Sequence, residues 1–416
     1  MTHRASIAIL ILMVVVRIAA MLILIKYLSL TFGPERFGTL SQVMGIAAIF
    51  YMFAGGGLGS GLIKNVAADA SAEMRSAWMG AAAFICVATS IVLLAIAVVC
   101  YFAGASALLL DPGLAPIFLV IGAAQLIVGA GNLALAYLSG AGNLRSFATS
   151  NVIGSILGLA FLLVLAIVGG FAGATYGAAL LPLGPGLVAI VLLLRGDATV
   201  GVKWPADRGK IVELLKFSGV SIVAVSAVPL ALLYIRADLA GTAGWRAVGY
   251  WQAIARTSDA YMQVFGVLFI NFFLPQLSAR AGSQKLDVMR RYGLVFIALF
   301  AVGAASFYLL REPVIRIAFS AEFLPAASFV APQLVGDLAK VGSWVFVYYF
   351  ISVSRIWVQG LAEAAQAAIM VLAFLLLQPA IGPEAAVVGH MFACLLVLLA
   401  TAALFFFRGE PARDGT

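Results

Sequence analysis

Apolar runs of about twenty residues recur from one end of the chain to the other, separated by short polar connections. They show no strict alternation, so they read as helices rather than strands. Spans are predicted at roughly 6–31, 39–63, 77–103, 114–138, 147–169, 173–194, 211–235, 247–274, 290–310, 325–351, 355–378 and 385–407. Helices of that length match a bilayer core, where each backbone amide must find its partner inside its own segment. The first run, Ala5 to Leu30, is too long for the core of a cleaved leader and is expected to remain as the first helix. The expected fold class is an all-α polytopic membrane protein with about twelve transmembrane helices.

Composition strengthens this picture and removes alternatives. The 416 residues are 64% hydrophobic and 10% charged, with a mean hydropathy of +1.12, where an ordinary soluble domain carries about 25% charged residues. Cys86, Cys100 and Cys394 fall in predicted helices without the paired spacing of a metal site or a disulfide framework, and are expected only to pack. His3 lies in the tail and His390 stands alone on an apolar helix. No catalytic set and no metal centre can be assembled from such a sequence.

Charge sets the topology. Alternate connections carry Lys64 and Arg75, then Arg145, then Arg195, Lys203, Arg208 and Lys210, then Arg280, Lys285, Arg290 and Arg291, then Arg355, and the tails add Arg4, Arg408 and Arg413. The opposite connections hold only Arg36, Arg236, Arg246, Arg311 and Arg316. The basic side faces the cytoplasm, so both termini are expected there. The pI of 9.5 follows mostly from this asymmetry and does not point to nucleic acid.

The longest polar connection, Arg195 to Lys210, divides the chain into six spans and six. The expected layout is a six-helix lobe over 1–196, a cytoplasmic linker at 197–210, a second six-helix lobe over 211–408 and a tail at 409–416. Weak similarity crosses the divide at one offset. Lys26 with Phe37, Gly38 and Gln42 is echoed by Arg236 with Val248, Gly249 and Gln252, and Arg145 by Arg355, about 210 residues on. Leu159-Ala-Phe-Leu-Leu163 returns as Leu372-Ala-Phe-Leu-Leu376. Duplicated halves with a central cavity are the architecture of alternating-access transporters.

Charges at membrane depth cost about 2.5–3.5 kcal/mol each on insertion scales, and so ask for a role. Gln252, Arg256, Asp259 and Gln263 stack on one face of the eighth span, and Gln333, Asp337, Lys340 and Trp344 repeat the spacing in the tenth. Gln359, Glu363 and Gln366 extend the pattern to the eleventh. These stripes are expected to face a wet cavity; the competing reading is that Arg256 with Asp259, and Asp337 with Lys340, only neutralise each other. The deep charges of the first half are mainly basic: Arg17, Lys26 and Lys64. Cations without an acidic partner suit an anionic substrate, and arginine grips phosphate through a bidentate fork. Nine residues put Arg17 and Lys26 half a turn out of phase, so Lys26 alternatively snorkels to the outer interface. Gly55, Gly56, Gly57, Gly59 and Gly61 allow close packing or a bend, and Pro182, Gly184, Pro185 and Gly186 predict a broken sixth span.

With these residues in view, the chain resembles the Wzx-type polysaccharide flippases of the multidrug/oligosaccharidyl-lipid/polysaccharide exporter superfamily, nearest to the branch that serves enterobacterial common antigen. The resemblance rests on Leu30-Thr-Phe-Gly-Pro34, Tyr250-Trp-Gln252, Ser258-Asp-Ala-Tyr261, Leu274-Pro-Gln-Leu-Ser278, Gln333-Leu-Val-Gly-Asp337 with Lys340-Val-Gly342, and Leu361-Ala-Glu363. It implies a MATE-like fold of two lobes around a cation-lined cavity in the bacterial inner membrane. It implies transfer of an undecaprenyl-pyrophosphate-linked oligosaccharide between leaflets, with membrane lipids as surroundings and a polysaccharide polymerase and chain-length regulator as protein partners. Arg17, Lys26 and Lys64 match basic positions of that family, Arg17 in place of a lysine. The expected binding set is Arg17, Lys26, Lys64, Gln252, Arg256, Asp259, Gln263, Asp337, Lys340 and Glu363. No cofactor is expected beyond coupling to a proton or other ion gradient. The alternatives are a lipid II flippase or other exporter of the superfamily, and a membrane-embedded polysaccharide polymerase, whose usual long outer loop this sequence lacks.

Overall fold

The computed structural model describes the backbone of residues 3–55, 57–69, 71–195 and 201–408. Gly56, the 196–200 stretch of the expected linker and the 409–416 tail lie outside the described residues. The helices are α1 His3–Phe53, α2 Gly59–Ala68, α3 Ala72–Val99, α4 Pro116–Gly140, α5 Leu144–Leu180, α6 Leu183–Arg195 and α7 Arg208–Leu268. They continue as α8 Leu274–Ser278, α9 Ser283–Val288, α10 Leu294–Leu309, α11 Arg311–Ala318, α12 Ala327–Ser352, α13 Trp357–Ile381 and α14 Ala385–Arg408. No strand occurs among the described residues. Local chemistry starts several of them: Ser71 Oγ accepts from the Met74 amide at 3.2 Å ahead of α3, and Asn143 Oδ1 accepts from the Ser146 amide at 3.1 Å ahead of α5.

Among the described residues, eight apolar segments are long enough to cross a membrane. Four of them, Val15–Phe53, Leu144–Leu180, Ser226–Ser278 and Trp357–Phe407, run to 39, 37, 53 and 51 residues, far beyond the roughly 20 that one crossing needs. Each contains a glycine of positive φ: Gly33, Gly170, Gly244 and Gly382. These glycines sit in the predicted gaps at 31–39, 169–173, 235–247 and 378–385. A regular helix cannot run through such a backbone, so each long segment is divided there.

The dividing glycines match in pairs. Gly33 (φ 68°, ψ −179°) lies 211 positions before Gly244 (φ 82°, ψ 162°). Gly170 (φ 56°, ψ −136°) lies 212 before Gly382 (φ 60°, ψ −135°). Gly142 and Ser354, at φ 73° and 62°, are again 212 apart, and α4 begins 211 positions before α12. The offset visible in the sequence is therefore also an offset in backbone conformation.

The chain packs as two units, residues 1–28 with 39–222, and residues 29–38 with 223–416. The ten-residue exchange at 29–38 is not foreseen by a division at the linker. In the first unit, Leu58, Leu62, Trp78, Ile85, Leu133 and Leu214 share one core. Small residues bring its helices together: Gly129 lies against Gly55 and Cys86, Gly131 against Gly186, and Gly154 against Gly184 and Pro185. The expected break in the sixth span is at Leu181–Pro182, between α5 and α6.

The segment from Gly201 to Asp207 is strapped to α3. The Lys203 amide donates to the Ser76 carbonyl at 3.1 Å, and a Cβ on Gly80 would meet the Lys203 carbonyl oxygen at 2.1 Å. Lys203 Nζ pairs with Glu73 at 2.9 Å, but the two side chains are 55% and 79% exposed. Exposed pairs contribute little. Lys203→Ala is expected to leave the melting temperature in detergent unchanged, while Gly80→Ala lowers it by several degrees. Equal losses would mean that the ion pair, not the backbone approach, holds the strap.

Aromatic packing dominates the second unit. Phe265, Phe269, Phe273, Phe296, Phe300, Tyr349, Phe350 and Phe405 form a buried cluster, with rings meeting edge to face, as for Phe269 and Phe273 at 5.2 Å. Residues 29–38 are part of this unit through Phe37, whose ring meets Phe319 at 5.9 Å and Phe323 at 5.6 Å. The outer face of α10 exposes Leu294, Val295, Leu299 and Val302, as suits a surface solvated by lipid tails.

Candidate functional site

Past Gly244, α7 carries the stripe read from the sequence. Gln252 is buried, Gln263 is half-buried, and Arg256 Nη1 stands 3.7 Å from Asp259 Oδ2. The Arg256 side chain is 22% exposed and that of Asp259 58%. This pair is thus the local i,i+3 couple of the competing reading, yet it stays open to solvent. Arg236 is buried nearby on the same helix and donates Nε to the Leu232 carbonyl at 2.9 Å.

The stripe on α12 behaves differently. Asp337 is 1% exposed and Gln333 5%, so neither faces a wet cavity, and Asp337 is not placed to touch a substrate. Asp337 Oδ2 accepts from Ser258 Oγ at 2.6 Å and from the Tyr261 hydroxyl at 2.5 Å. Gln333 Nε2 donates to Oδ1 at 3.1 Å, and His390 Nε2 stands 3.0 Å from Oδ1. Gln333 also reaches Ser258 Oγ at 3.3 Å. The physical reason is desolvation: a carboxylate taken out of water needs donors around both oxygens, and three helices supply them. Asp337 finds its ionic partner in His390 across the helix interface, where the sequence suggested Lys340 one turn away.

Of the other expected positions, Lys340 and Glu363 are half-buried, Arg17 and Lys64 exposed, and Lys26 half-buried. Arg17, Lys26 and Lys64 belong to the first unit; Arg256, Asp259, Asp337, Lys340 and Glu363 belong to the second. On α13, Gln366 is buried with its Nε2 unbonded, and Gln359 is exposed. Among the described residues no group of three or more His, Cys, Asp or Glu is arranged to hold a metal.

The residue that sequence reasoning passed over is His390. On its own helix it meets Cys394, whose Sγ lies 3.7 Å from Nε2 and 3.8 Å from Nδ1. Its significance lies on α12, 53 residues earlier. Ser258 and Tyr261 were visible as part of a shared stretch, but helical spacing placed them off the polar stripe. Cys394 does more than pack, since it faces the histidine ring.

Paired broken helices and charged side chains at membrane depth define a multi-pass transporter. Solved structures share the fold: an inward-facing multidrug resistance MATE family transporter of the MOP superfamily superposes with TM-score 0.74 at 13% identity, over 95% of this chain and 94% of the other. The lipid II flippase MurJ, in an inward closed conformation, gives 0.73 at 11% identity over 98% and 88%. The family described as polysaccharide biosynthesis protein matches residues 6–328. Lipid III flippases of Escherichia coli (strain K12) and Shigella flexneri are each 30% identical over 387 residues, 90% of this chain and 91% of theirs. The chain belongs to this polysaccharide biosynthesis family.

Proposed function

We propose that the protein moves an undecaprenyl-pyrophosphate-linked oligosaccharide from the cytoplasmic to the periplasmic leaflet of the bacterial inner membrane by alternating access, with both termini in the cytoplasm. The observation that carries this reading is the 30% identity to lipid III flippases along nine-tenths of the chain. The distribution of basic residues supports it. Arg17 and Lys64 are exposed on the first unit, and Arg256 is partly exposed on the second, which suits a pyrophosphate more than the cations that an acidic cavity would carry. Gln263 and Asp259 supply acceptors and donors for sugar hydroxyls, whereas Gln252 is too buried to reach them. No covalent step is required. Net movement draws on an ion gradient, because a carrier that binds its cargo equally well on both sides only equilibrates it. A polysaccharide polymerase and its chain-length regulator are the protein partners that this role would bring alongside.

The test is complementation of a bacterium depleted of its own lipid III flippase. Arg17→Ala and Arg256→Ala are each expected to cut glycan export by about tenfold or more, since a hydrogen bond to a charged group contributes about 1.5–3 kcal/mol, with normal amounts of protein in the membrane. Normal export by both variants would sink the anion-site reading.

A further inference from the structure

The first unit contains an uncharged version of the buried polar cluster. Gln125, 212 positions before Asp337, is likewise buried, on α4; its Nε2 donates to the Ile121 carbonyl at 2.9 Å and its Oε1 has no hydrogen-bond partner. Tyr51, 210 positions before Tyr261, donates its hydroxyl to the carbonyl of Ala179 at 2.7 Å. Ala179 stands 211 positions before His390. The equivalent positions of the first unit therefore carry glutamine, tyrosine and alanine. The second unit has aspartate, tyrosine and histidine there. Packing alone does not demand the charged pair, and a buried charge in a membrane is costly enough to need another purpose.

The hydrogen bonds say what the pair can hold. Ser258, Tyr261 and Gln333 all donate to the Asp337 carboxylate, and His390 completes the set through Nε2. With Nε2–H directed at Asp337, the remaining ring nitrogen, Nδ1, has the weakly bonding Cys394 thiol against it, at 3.8 Å, and can gain or lose one proton. Uptake forms one N–H bond there and release returns the proton to water; nothing else is made or broken. A hard metal cation fits less well, because two of the four groups around the carboxylate present nitrogen donors rather than oxygen ligands.

The cluster also touches the helix that carries the polar stripe. At 3.6 residues per turn, Ser258 and Tyr261 lie on the side of α7 roughly opposite Arg256, Asp259 and Gln263. One face of α7 is bonded to Asp337, and the other offers side chains to solvent. Facing the His390 ring is Asp337 from α12, and Asp259 on the other face of α7, which also interacts with Arg236, Arg256 and Lys340, is the charged group on α7 that Asp337 acts on. Cys394 is the titratable neighbour on α14. We propose that Asp337 and His390 form a proton-exchange site, present in the second unit and absent from the first, and that loading it changes the packing of α7 against α12 and α14 and so couples a proton to substrate movement. The coupling, though not the site, rests on the flippase reading.

The experiment uses the full chain in phosphatidylethanolamine/phosphatidylglycerol vesicles, labelled with ring-¹⁵N histidine and carrying His3→Gln so that His390 alone reports, since the sequence has two histidines. Its ring resonances should respond to pH over a titration carried well into the alkaline range, and Asp337→Asn should move the midpoint by about one pH unit or more. A ring that ignores pH in both proteins overturns the site. In the same vesicles, collapsing an imposed pH gradient should change the rate of lipid-linked oligosaccharide movement by about fivefold or more, the usual scale of a coupling free energy. His390→Gln keeps a side-chain donor without a titrating nitrogen and should lose that response. Retention of the response by His390→Gln overturns the coupling. Ring titration without any lipid movement upholds the site and overturns the flippase reading, whereas gradient-driven movement without ring titration overturns the site alone. The ring measurement on the unsubstituted pair decides the matter should His390→Gln fail to fold.

Discussion

Gly249→Ala is expected to abolish accumulation of folded protein in the membrane. A Cβ at this position would lie 1.9 Å from the Pro34 carbonyl oxygen and 2.7 Å from its carbon, far inside van der Waals contact. The obstruction is backbone on both sides. At the same crossing a Cβ on Gly38 would lie 2.2 Å from the Trp245 carbonyl oxygen, so the two segments cannot slide to relieve one clash without making the other worse. Pro34 is itself held, because Gly33 before it turns the chain at φ 68° and Phe37 after it is pinned between Phe319 and Phe323. Overpacking a well-filled site costs about 1–3 kcal/mol when side chains give way, and more where only backbone is available to move. Gly266, on the same helix, has open space where a Cβ would go, so Gly266→Ala should be neutral or slightly stabilising. Size-exclusion profiles and melting temperatures of the two variants in detergent make the comparison. A Gly249→Ala protein that melts like the parent would show that residues 29–38 do not pack on α7 as described.

Much of this architecture is legible in the sequence, because bilayer solvation imposes a strong pattern. Apolar length marks the spans, and the four gaps that contain Gly33, Gly170, Gly244 and Gly382 are visible as interruptions in it. Residues 29–38 are where that legibility ends. Nothing in their composition says which unit they join, since Phe37 is apolar and would pack as well on one side as on another; its partners lie almost 300 residues away. The polar residues divide in the same manner. Helical spacing finds Arg256 with Asp259 and Gln333 with Asp337, because each pair shares a helix. It cannot tell a stripe that faces water from one that faces donors on another helix, since both need the same period. Asp337 is of the second kind only because Ser258, Tyr261 and His390 arrive from α7 and α14. A lone histidine on an apolar helix therefore looks empty in a sequence whenever its partner is on a different strand of the bundle.

The duplicated turns lead to a second strong expectation. Gly170 and Gly382 have nearly the same conformation, φ 56°, ψ −136° and φ 60°, ψ −135°, and a Cβ on either would meet nothing within 4 Å. Any loss on substitution by alanine is then backbone strain alone, not crowding. Positive φ with ψ in this range is open to glycine and costs an L-residue about 1–3 kcal/mol. Gly170→Ala and Gly382→Ala should therefore destabilise by similar amounts despite their unrelated flanking sequences. The double variant should lose about the sum, because sites without shared partners add, and a loss of about 2–6 kcal/mol consumes much of the 5–15 kcal/mol typical of a folded protein. Gly169 supplies the internal control: it is the chain neighbour of Gly170, also has open space for a Cβ and lacks a positive φ. Gly169→Ala should be close to neutral. Chemical unfolding in mixed micelles measures all four variants. Equal losses at positions 169 and 170, or a Gly382 loss several times that of Gly170, would mean that the two turns are not the same device repeated, and that their 212-residue spacing is coincidence.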